Sequence, residues 1–202
     1  MSVLLDIDGC LLDWSGSKGN DDFDDWQRPD VRLFNYYSPS QLNLISKSFD
    51  DIQWHTTWIE NNMCNELWHN VTGWGPYPIF IDQLQDAAEK HSEGEDFYPI
   101  APNRSFGGRS GLGFSSGLID PEIDATLYNA DWWKLNGVAL ALHEGLLPGK
   151  VLWIDDDLAG TFKSVSKVLA HYDATERFRF IIPSAVLRKA DIIEGAEWLA
   201  KP

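Results

Sequence analysis

Cysteine and long apolar runs are both scarce in this sequence. Only Cys10 and Cys64 occur, which disfavours a disulfide-stabilised secreted domain. Acids arrive as early as Asp6 and no basic segment precedes the first apolar run, so we expect no secretory signal. No apolar stretch approaches the roughly 18 to 20 residues that span a bilayer. We therefore expect a soluble, cytoplasmic protein with no membrane partner.

Positive charge is the second shortage. The chain has 16 Lys and Arg against 31 Asp and Glu, a formal net charge of -15. All of the excess negative charge lies before Lys150, because the last 53 residues hold 8 acidic and 8 basic side chains. Such a surface repels polyanions, so extended contact with nucleic acid or an anionic membrane is disfavoured. Solvation of the surface is the simplest interpretation of these acids.

The length indicates one domain. With 202 residues and 44% hydrophobic content, the chain can bury one sizeable core, whereas two complete domains would be cramped. We predict a single domain over 1–202, with a flap region at about 10–37 and a glycine- and serine-rich insertion at about 92–118. The insertion matches neither the GxxxxGK[ST] phosphate loop nor the GxGxxG fingerprint.

Short apolar runs alternate with helical patterns along the chain. The predicted strands are 3–6, 51–56, 150–154 and 177–182, with 78–81 as a further candidate. Two helices are predicted from their start signals, at Ser38-Pro39 and at Asp120-Pro121. Five more are predicted over 60–69, 83–91, 131–144, 158–171 and 187–200. Strands that alternate with helices pair in parallel through right-handed crossovers. We therefore predict an α/β fold: a doubly wound, Rossmann-like parallel sheet with helices on both faces and a minimal or absent cap domain.

Polar side chains follow several of the predicted strands. Asp6 and Asp8 come directly after the first strand, Thr56 ends the second, and the acids at 155–157 follow the sequence KVLWI. Lys134 lies at the start of the helix that leads into KVLWI. In doubly wound sheets, the functional groups lie beyond the carboxyl ends of the strands. If these strands are neighbours, the polar groups converge on one site.

A cation would resolve the repulsion among these carboxylates. Acids within a few ångströms raise each other's pKa unless a positive charge lies among them. Ligands that are all oxygen favour Mg²⁺ over zinc. Successive residues of an extended strand point to opposite faces, so Asp6 and Asp8 can take different roles only because the strand ends and the chain turns at Gly9.

The ordered motifs resemble those of a known superfamily. LLDIDGCLL, IQWHTTW, WWKLNGV and VLWIDDDL occur in this order, each at the end of an element. Together they resemble the haloacid dehalogenase (HAD) superfamily of phosphotransferases. WHTTWIENNMCNEL and VLWIDDDL are also similar to the small branch of that superfamily associated with RNA repair proteins.

The resemblance implies roles for the individual residues. Asp6 would be the nucleophile that forms an aspartyl-phosphate, and Asp8 would be the general acid and base. Lys134 would offset the negative charge, and Thr56 would hydrogen-bond a phosphoryl oxygen. The implied catalytic set is Asp6, Asp8, Thr56 and Lys134, and the implied substrate-binding set is Gly9, Thr56, Thr57 and Lys134. Thr57 is an alternative to Thr56, because one residue of register decides which side chain faces the site.

The resemblance also implies the metal ligands. Asp155 would hold Mg²⁺ together with Asp6 and the backbone carbonyl of Asp8, and Asp156 would act directly or through water. Acids at these positions can also cap a turn or the following helix, and we expect Asp157 to be such a cap.

Other residues near the motifs have simpler interpretations. Lysines on helices are often only solvated, and this alternative stays open for Lys134. We expect His55 to be structural. Cys10 is either packed in the core or, near the nucleophile, a source of oxidation sensitivity.

The expected function is that of a Mg²⁺-dependent phosphatase. An open site with little cap suits a nucleotide, a nucleic acid end or a small phosphoester. The alternative is a catalytically silent phosphate-binding or regulatory protein on the same fold. Retention of both Asp6 and Asp8 argues against that alternative, since a pocket that only binds phosphate gains little from a nucleophile beside the anion.

Overall fold

The computed structural model describes residues 1–12, 20–28, 36–56, 63–78, 80 and 133–202. Its four strands are β1 (Ser2–Leu5), β2 (Ile52–Trp54), β3 (Val151–Ile154) and β4 (Phe178–Ile181). Its helices are α1 (Pro39–Ser48), α2 (Met63–Thr72), α3 (Trp133–His143), α4 (Leu158–His171) and α5 (Lys189–Ala200). The insertion at 92–118 and the helices predicted at 83–91 and after Asp120 lie outside the described residues.

The four strands form one all-parallel sheet in the order β2-β1-β3-β4. The prediction of an α/β fold with a parallel sheet is therefore confirmed. Each strand lies within about two residues of its predicted bounds at either end. The central position of β1 between β2 and β3 matters most, because it brings the ends of these three strands together.

The central strands β1 and β3 are almost wholly buried on both faces, which explains why they are continuous apolar runs. Leu5 and Ile154 belong to one core cluster with side chains of α1 and α5. Leu4 and Trp153 point to the other face and belong to a second cluster with side chains of α3 and α4. Among the helices in the described residues, none combines the length and the apolar character needed to cross a bilayer.

The helix ends follow local sequence signals. Ser38 is the N-cap of α1, and its Oγ accepts a hydrogen bond from the amide of Gln41 at 3.2 Å. After α3 the chain turns at Gly145 with φ +68°, so the predicted end of this helix is confirmed. The last helix begins at Lys189 rather than 187, because the carboxylate of Asp191 accepts from the amide of Arg188 at 3.0 Å and sets the first turn there.

The structure corrects one predicted strand. Phe80 is helical, so the possible strand at 78–81 is wrong at that residue. The carbonyl of Pro78 accepts a hydrogen bond from the amide of Trp54 at 2.8 Å, which ties this segment to the edge strand β2. Within the flap region, Gln27 and Tyr37 form an antiparallel bridge with mutual backbone hydrogen bonds of 2.8 and 3.0 Å.

We expect Gly195→Ala to destabilise the protein and Gly160→Ala to stabilise it. A Cβ at Gly195 would lie 2.8 Å from Leu152 Cδ2 and 3.1 Å from Ile181 Cδ1, where α5 packs on the sheet. A Cβ at Gly160 in α4 would meet nothing within 4 Å. Alanine favours both helices by roughly 0.5 to 1 kcal/mol, but overpacking at Gly195 costs about 1 to 3 kcal/mol. Denaturant unfolding of the two variants measures the difference.

The pair of variants separates sterics from helix propensity. Both substitutions gain the same propensity, so the gap between their free energies of unfolding reports the contact of α5 with Leu152 and Ile181. Equal stabilisation by the two substitutions would contradict the close packing at Gly195.

Candidate active site

The carboxyl ends of β1, β2 and β3 lie side by side. Leu5 pairs with Trp54 on one side and with Ile154 on the other. Parallel pairing continues past the strand ends, because the amide of Asp6 donates to the carbonyl of Ile154 and the amide of His55 donates to that of Leu5, both at 3.0 Å. The backbone ladder therefore aligns Asp6 with its neighbours on both adjacent strands before any side-chain contact forms.

A buried lysine bridges two of the strand-end carboxylates. Lys134 Nζ donates to Asp6 Oδ2 and to Asp155 Oδ2, each at 2.7 Å. All three side chains are almost wholly buried, with exposed fractions of 1%, 4% and 0%. The solvated alternative for Lys134 is thus wrong, because the first turn of α3 delivers the ammonium group between β1 and β3.

A tight turn follows Asp6. The amide of Ile7 donates to Asp6 Oδ1 at 2.8 Å, and the carbonyl of Ile7 accepts from the amide of Leu11 at 2.8 Å. Gly9 has φ +66°, and a Cβ there would collide with the carboxylate of Asp156. Glycine is required at this position for both reasons, since it tolerates positive φ and allows the close approach of Asp156.

Four carboxylates form one acidic group at this edge of the sheet. Each contributes an oxygen, and these oxygens all lie within 4.8 Å of one another; the group consists of Asp6, Asp155, Asp156 and Asp157. Among the described residues, the ammonium group of Lys134 is paired with Asp6, Asp155 and Asp157, so the four acids, when ionised, outnumber this positive charge by three. Oxygen donors with uncompensated negative charge suit a hard divalent cation such as Mg²⁺. The donor set therefore fits the metal that the sequence predicted.

The crowding and burial of these acids change their protonation. Burial is the main cause that raises the pKa of Asp155 from 3.8 to about 7; the charge of Lys134 lowers this pKa and that of Asp6 raises it. Burial, followed by the charges of Asp6 and Asp157, also raises the pKa of Asp156. Burial lowers the pKa of Lys134, but the charges of Asp6 and Asp155 raise it by more, so the lysine stays protonated.

The side chain of Asp157 does not make the capping contact that the sequence predicted. The residue stands at the N-cap position of α4, but its side chain makes no capping hydrogen bond. Instead, Asp155 Oδ1 accepts from the amide of Asp157 at 2.9 Å. The Asp157 carboxylate is 62% exposed and lies 3.9 Å from Lys134 Nζ. Sequence reasoning missed this fourth acid of the group, although the run of three acids was a visible signal.

The remaining predicted site residues lie at the same edge or outside the described residues. Thr56 follows His55 and is fully buried. Thr57 lies outside the described residues, so the choice between the two threonines stays open. Asp8 is half-buried and precedes Gly9 in the turn. Its carboxylate is not part of the acidic group, and the proposed metal contact through its backbone carbonyl stays a prediction.

Cys10 and His55 are both buried beside the acids. The thiol of Cys10 is fully buried, and burial, followed by the charge of Asp6, raises its pKa. A raised pKa disfavours the reactive thiolate, which favours the packed interpretation over oxidation sensitivity. Burial and the charge of Lys134 lower the pKa of His55 to about 3, so this ring is neutral.

Comparison of the chain with protein-family models, with curated proteins and with solved structures finds no match.

We expect Mg²⁺ to stabilise the fold more at about pH 8 than at about pH 5. The pKa of Asp155 is raised to about 7, so a metal ion at the lower pH has to displace a proton. In the metal-free protein, a raised carboxyl pKa contributes stability below the unfolded value, and this contribution is lost as the pH rises through the folded value. Thermal unfolding with Mg²⁺ or EDTA at both pH values measures the effect.

The variant Asp155→Asn is the control for this pH dependence. It removes the carboxyl with the pKa of about 7, so the shift in Tm caused by Mg²⁺ should be smaller and should grow less with pH, with Asp156 as the remaining ligand of raised pKa. The titration of His55 affects the samples with and without metal alike, and it cancels in the difference. A wild-type shift that is equal at both pH values would contradict the assignment.

Proposed function

We propose that this protein is a Mg²⁺-dependent phosphoester hydrolase of the HAD type, on a doubly wound fold with little or no cap. The observation that carries the proposal is the bridge from Asp6 Oδ2 through Lys134 Nζ to Asp155 Oδ2, with 2.7 Å on each side. This bridge lies within an acidic group whose oxygens suit Mg²⁺. A nucleophilic carboxylate, a fixed ammonium and a cation site at one point are the parts that phosphoryl transfer needs.

In the proposed first step, a carboxylate oxygen of Asp6 attacks phosphorus. The bond from phosphorus to the ester oxygen breaks, and Asp8 gives its proton to the departing oxygen. Lys134 stabilises the negative charge that builds up between the carboxylate and the phosphoryl group. A bound Mg²⁺, held by Asp6, Asp155, Asp156 and the backbone carbonyl of Asp8, would neutralise phosphoryl oxygens and orient them.

In the proposed second step, water hydrolyses the aspartyl-phosphate. Asp8, now ionised, takes a proton from the water as it attacks phosphorus, and the bond to Asp6 breaks. This restores the carboxylate of Asp6 and releases inorganic phosphate. Thr56 would hydrogen-bond a phosphoryl oxygen, with Thr57 as the alternative, and the turn at Gly9 would complete the phosphate-binding set.

The proposed substrates are a nucleotide, a nucleic acid end or a small phosphoester. The net charge of -15 disfavours extended contact with a polyanion, so a nucleic acid would be engaged at its terminus only. The buried lysine and the surrounding acids support the recognition of a phosphoryl group, which all three proposed substrate classes share.

The test is release of inorganic phosphate by the protein of residues 1–202. The panel contains an aryl phosphate, nucleotides and oligonucleotides with a 3′ or 5′ phosphate, each with Mg²⁺ or with EDTA. Hydrolysis that requires Mg²⁺ is the expected result, and the panel ranks the substrates. Binding of phosphate without turnover of any substrate would overturn the proposal in favour of a silent phosphate-binding protein.

A further inference from the structure

We propose that His55 is a positioning residue that holds Lys134 in register with Asp6 and Asp155, an inference that rests on the proposed phosphatase function. His55 directly follows β2, and Lys134 lies in the first turn of α3. The ring nitrogen Nε2 of His55 lies 3.1 Å from the backbone carbonyl oxygen of Lys134. The two residues are 79 positions apart in the chain, so this contact joins two elements that no local sequence signal connects.

The direction of the hydrogen bond follows from its partner. A backbone carbonyl can only accept, so Nε2 has to carry the proton and donate it. His55 is 1% exposed, and burial followed by the charge of Lys134 lowers its pKa to about 3. The ring is therefore neutral with the proton on Nε2, and it does not add a second positive charge beside the ammonium group.

The ring of His55 contacts two aromatic side chains. Phe80 packs edge-on at a centroid distance of 5.0 Å, and Trp153 lies at 5.4 Å. Trp153 Nε1 also donates to Asp155 Oδ2 at 3.4 Å, the oxygen that accepts from Lys134. His55 and Trp153 thus contact the two partners of one ion pair: His55 bonds to the backbone of the lysine, and Trp153 bonds to the carboxylate.

This support matters because a lysine side chain does not by itself hold its ammonium group in one position. Its ammonium group sits on a flexible four-carbon stem, and here the hydrogen bonds to Asp6 and Asp155 fix only one end of it. The bond from His55 fixes the other end, at the backbone. When that bond is lost, the first turn of α3 can shift, and displacements of about 1 Å at a catalytic group can cost on the order of 100-fold in rate.

The kinetic test compares two substitutions of His55. His55→Gln keeps a donor near the position of Nε2, whereas His55→Phe keeps the ring and its packing against Phe80 and Trp153 but removes the donor. We expect His55→Phe to lower kcat by about 10- to 100-fold with a smaller change in KM, and His55→Gln to recover most of kcat. Val165→Ala, a buried apolar truncation in α4, controls for loss of stability alone.

A second measurement does not depend on turnover. The Nζ ammonium of Lys134 is buried in two hydrogen bonds, so its ¹H–¹⁵N signal should be protected from exchange with water, and Lys134→Met assigns it by its loss. We expect the signal to persist in His55→Gln and in Val165→Ala and to shift or broaden in His55→Phe. An unchanged signal in His55→Phe, or equal kinetics of the Phe and Gln variants, would overturn the positioning role. If wild type turns nothing over while the signal responds as expected, the positioning role stands and the proposed function fails.

Discussion

Asp6→Asn is expected to lower phosphate release by at least about 10³-fold, since removal of a nucleophile abolishes the covalent route. The substitution changes one atom of the side chain. The amide oxygen can still accept from the amide of Ile7, as Asp6 Oδ1 does at 2.8 Å. The amide nitrogen, however, cannot accept from Lys134 Nζ and is no nucleophile. Initial rates on the best substrate of the panel, at saturating Mg²⁺, measure the loss.

Asp50→Asn is the matched control for this variant. Asp50 is exposed and precedes β2, at the end of this strand that lies opposite the site. The rate of the Asp50→Asn variant should therefore equal that of wild type. Acid quench of wild type during turnover, followed by mass spectrometry of peptides, should locate phosphate on Asp6. Retention of activity in Asp6→Asn, or phosphate on another residue, would show that Asp6 is not the nucleophile.

Lys134→Met is expected to cost about 3 to 5 kcal/mol of unfolding free energy near neutral pH without metal, because it takes away the ammonium group that bridges two buried carboxylates. Methionine matches the length of the lysine stem, so little cavity forms. Part of this loss should be recovered at lower pH. Without the charge of Lys134, which lowers the pKa of Asp155, this carboxyl takes up a proton more readily, and the neutral form needs no counter-charge. Denaturant unfolding at several pH values, with EDTA or with Mg²⁺, measures the loss and its recovery.

The surface variant Lys163→Met provides the comparison. Lys163 is exposed on α4, and its replacement should change stability by no more than about 0.5 kcal/mol. The double variant Asp6→Asn/Lys134→Met should be less destabilised than the sum of the two single variants, because each removes one side of the same ion pair. Unfolding of Lys134→Met at the wild-type denaturant concentration would contradict a contribution of the bridge to stability.

Much of the fold could be read from local patterns. The apolar runs at 3–6 and 150–154 predicted β1 and β3 because a strand that is buried on both faces has no polar alternation. Ser38-Pro39 and Gly145 marked helix ends, since caps are local chemistry. The prediction at 78–81 failed at Phe80 because a short apolar run does not distinguish a strand from a helix that is buried in the core.

The candidate site was predictable where it depends on strand ends. Asp6 and Asp155 were placed together because parallel strands bring their carboxyl ends to one edge, and the order β2-β1-β3 satisfies the condition for convergence. The role of Asp157 was predicted incorrectly, since the turn after β3 uses Asp155 rather than Asp157 as the acceptor. That choice depends on backbone angles that three consecutive acids do not reveal.

The sequence by itself determined the parallel α/β class and the acids at the strand ends, because these depend on local periodicity and on residue type, and from the oxygen-only donors it predicted Mg²⁺. Only the tertiary structure decided that Lys134 Nζ lies 2.7 Å from both Asp6 and Asp155, and that His55 donates to the backbone of the same lysine. These contacts join residues 128, 21 and 79 positions apart. Their geometry arises from helix packing against the sheet, which no short stretch of the chain encodes.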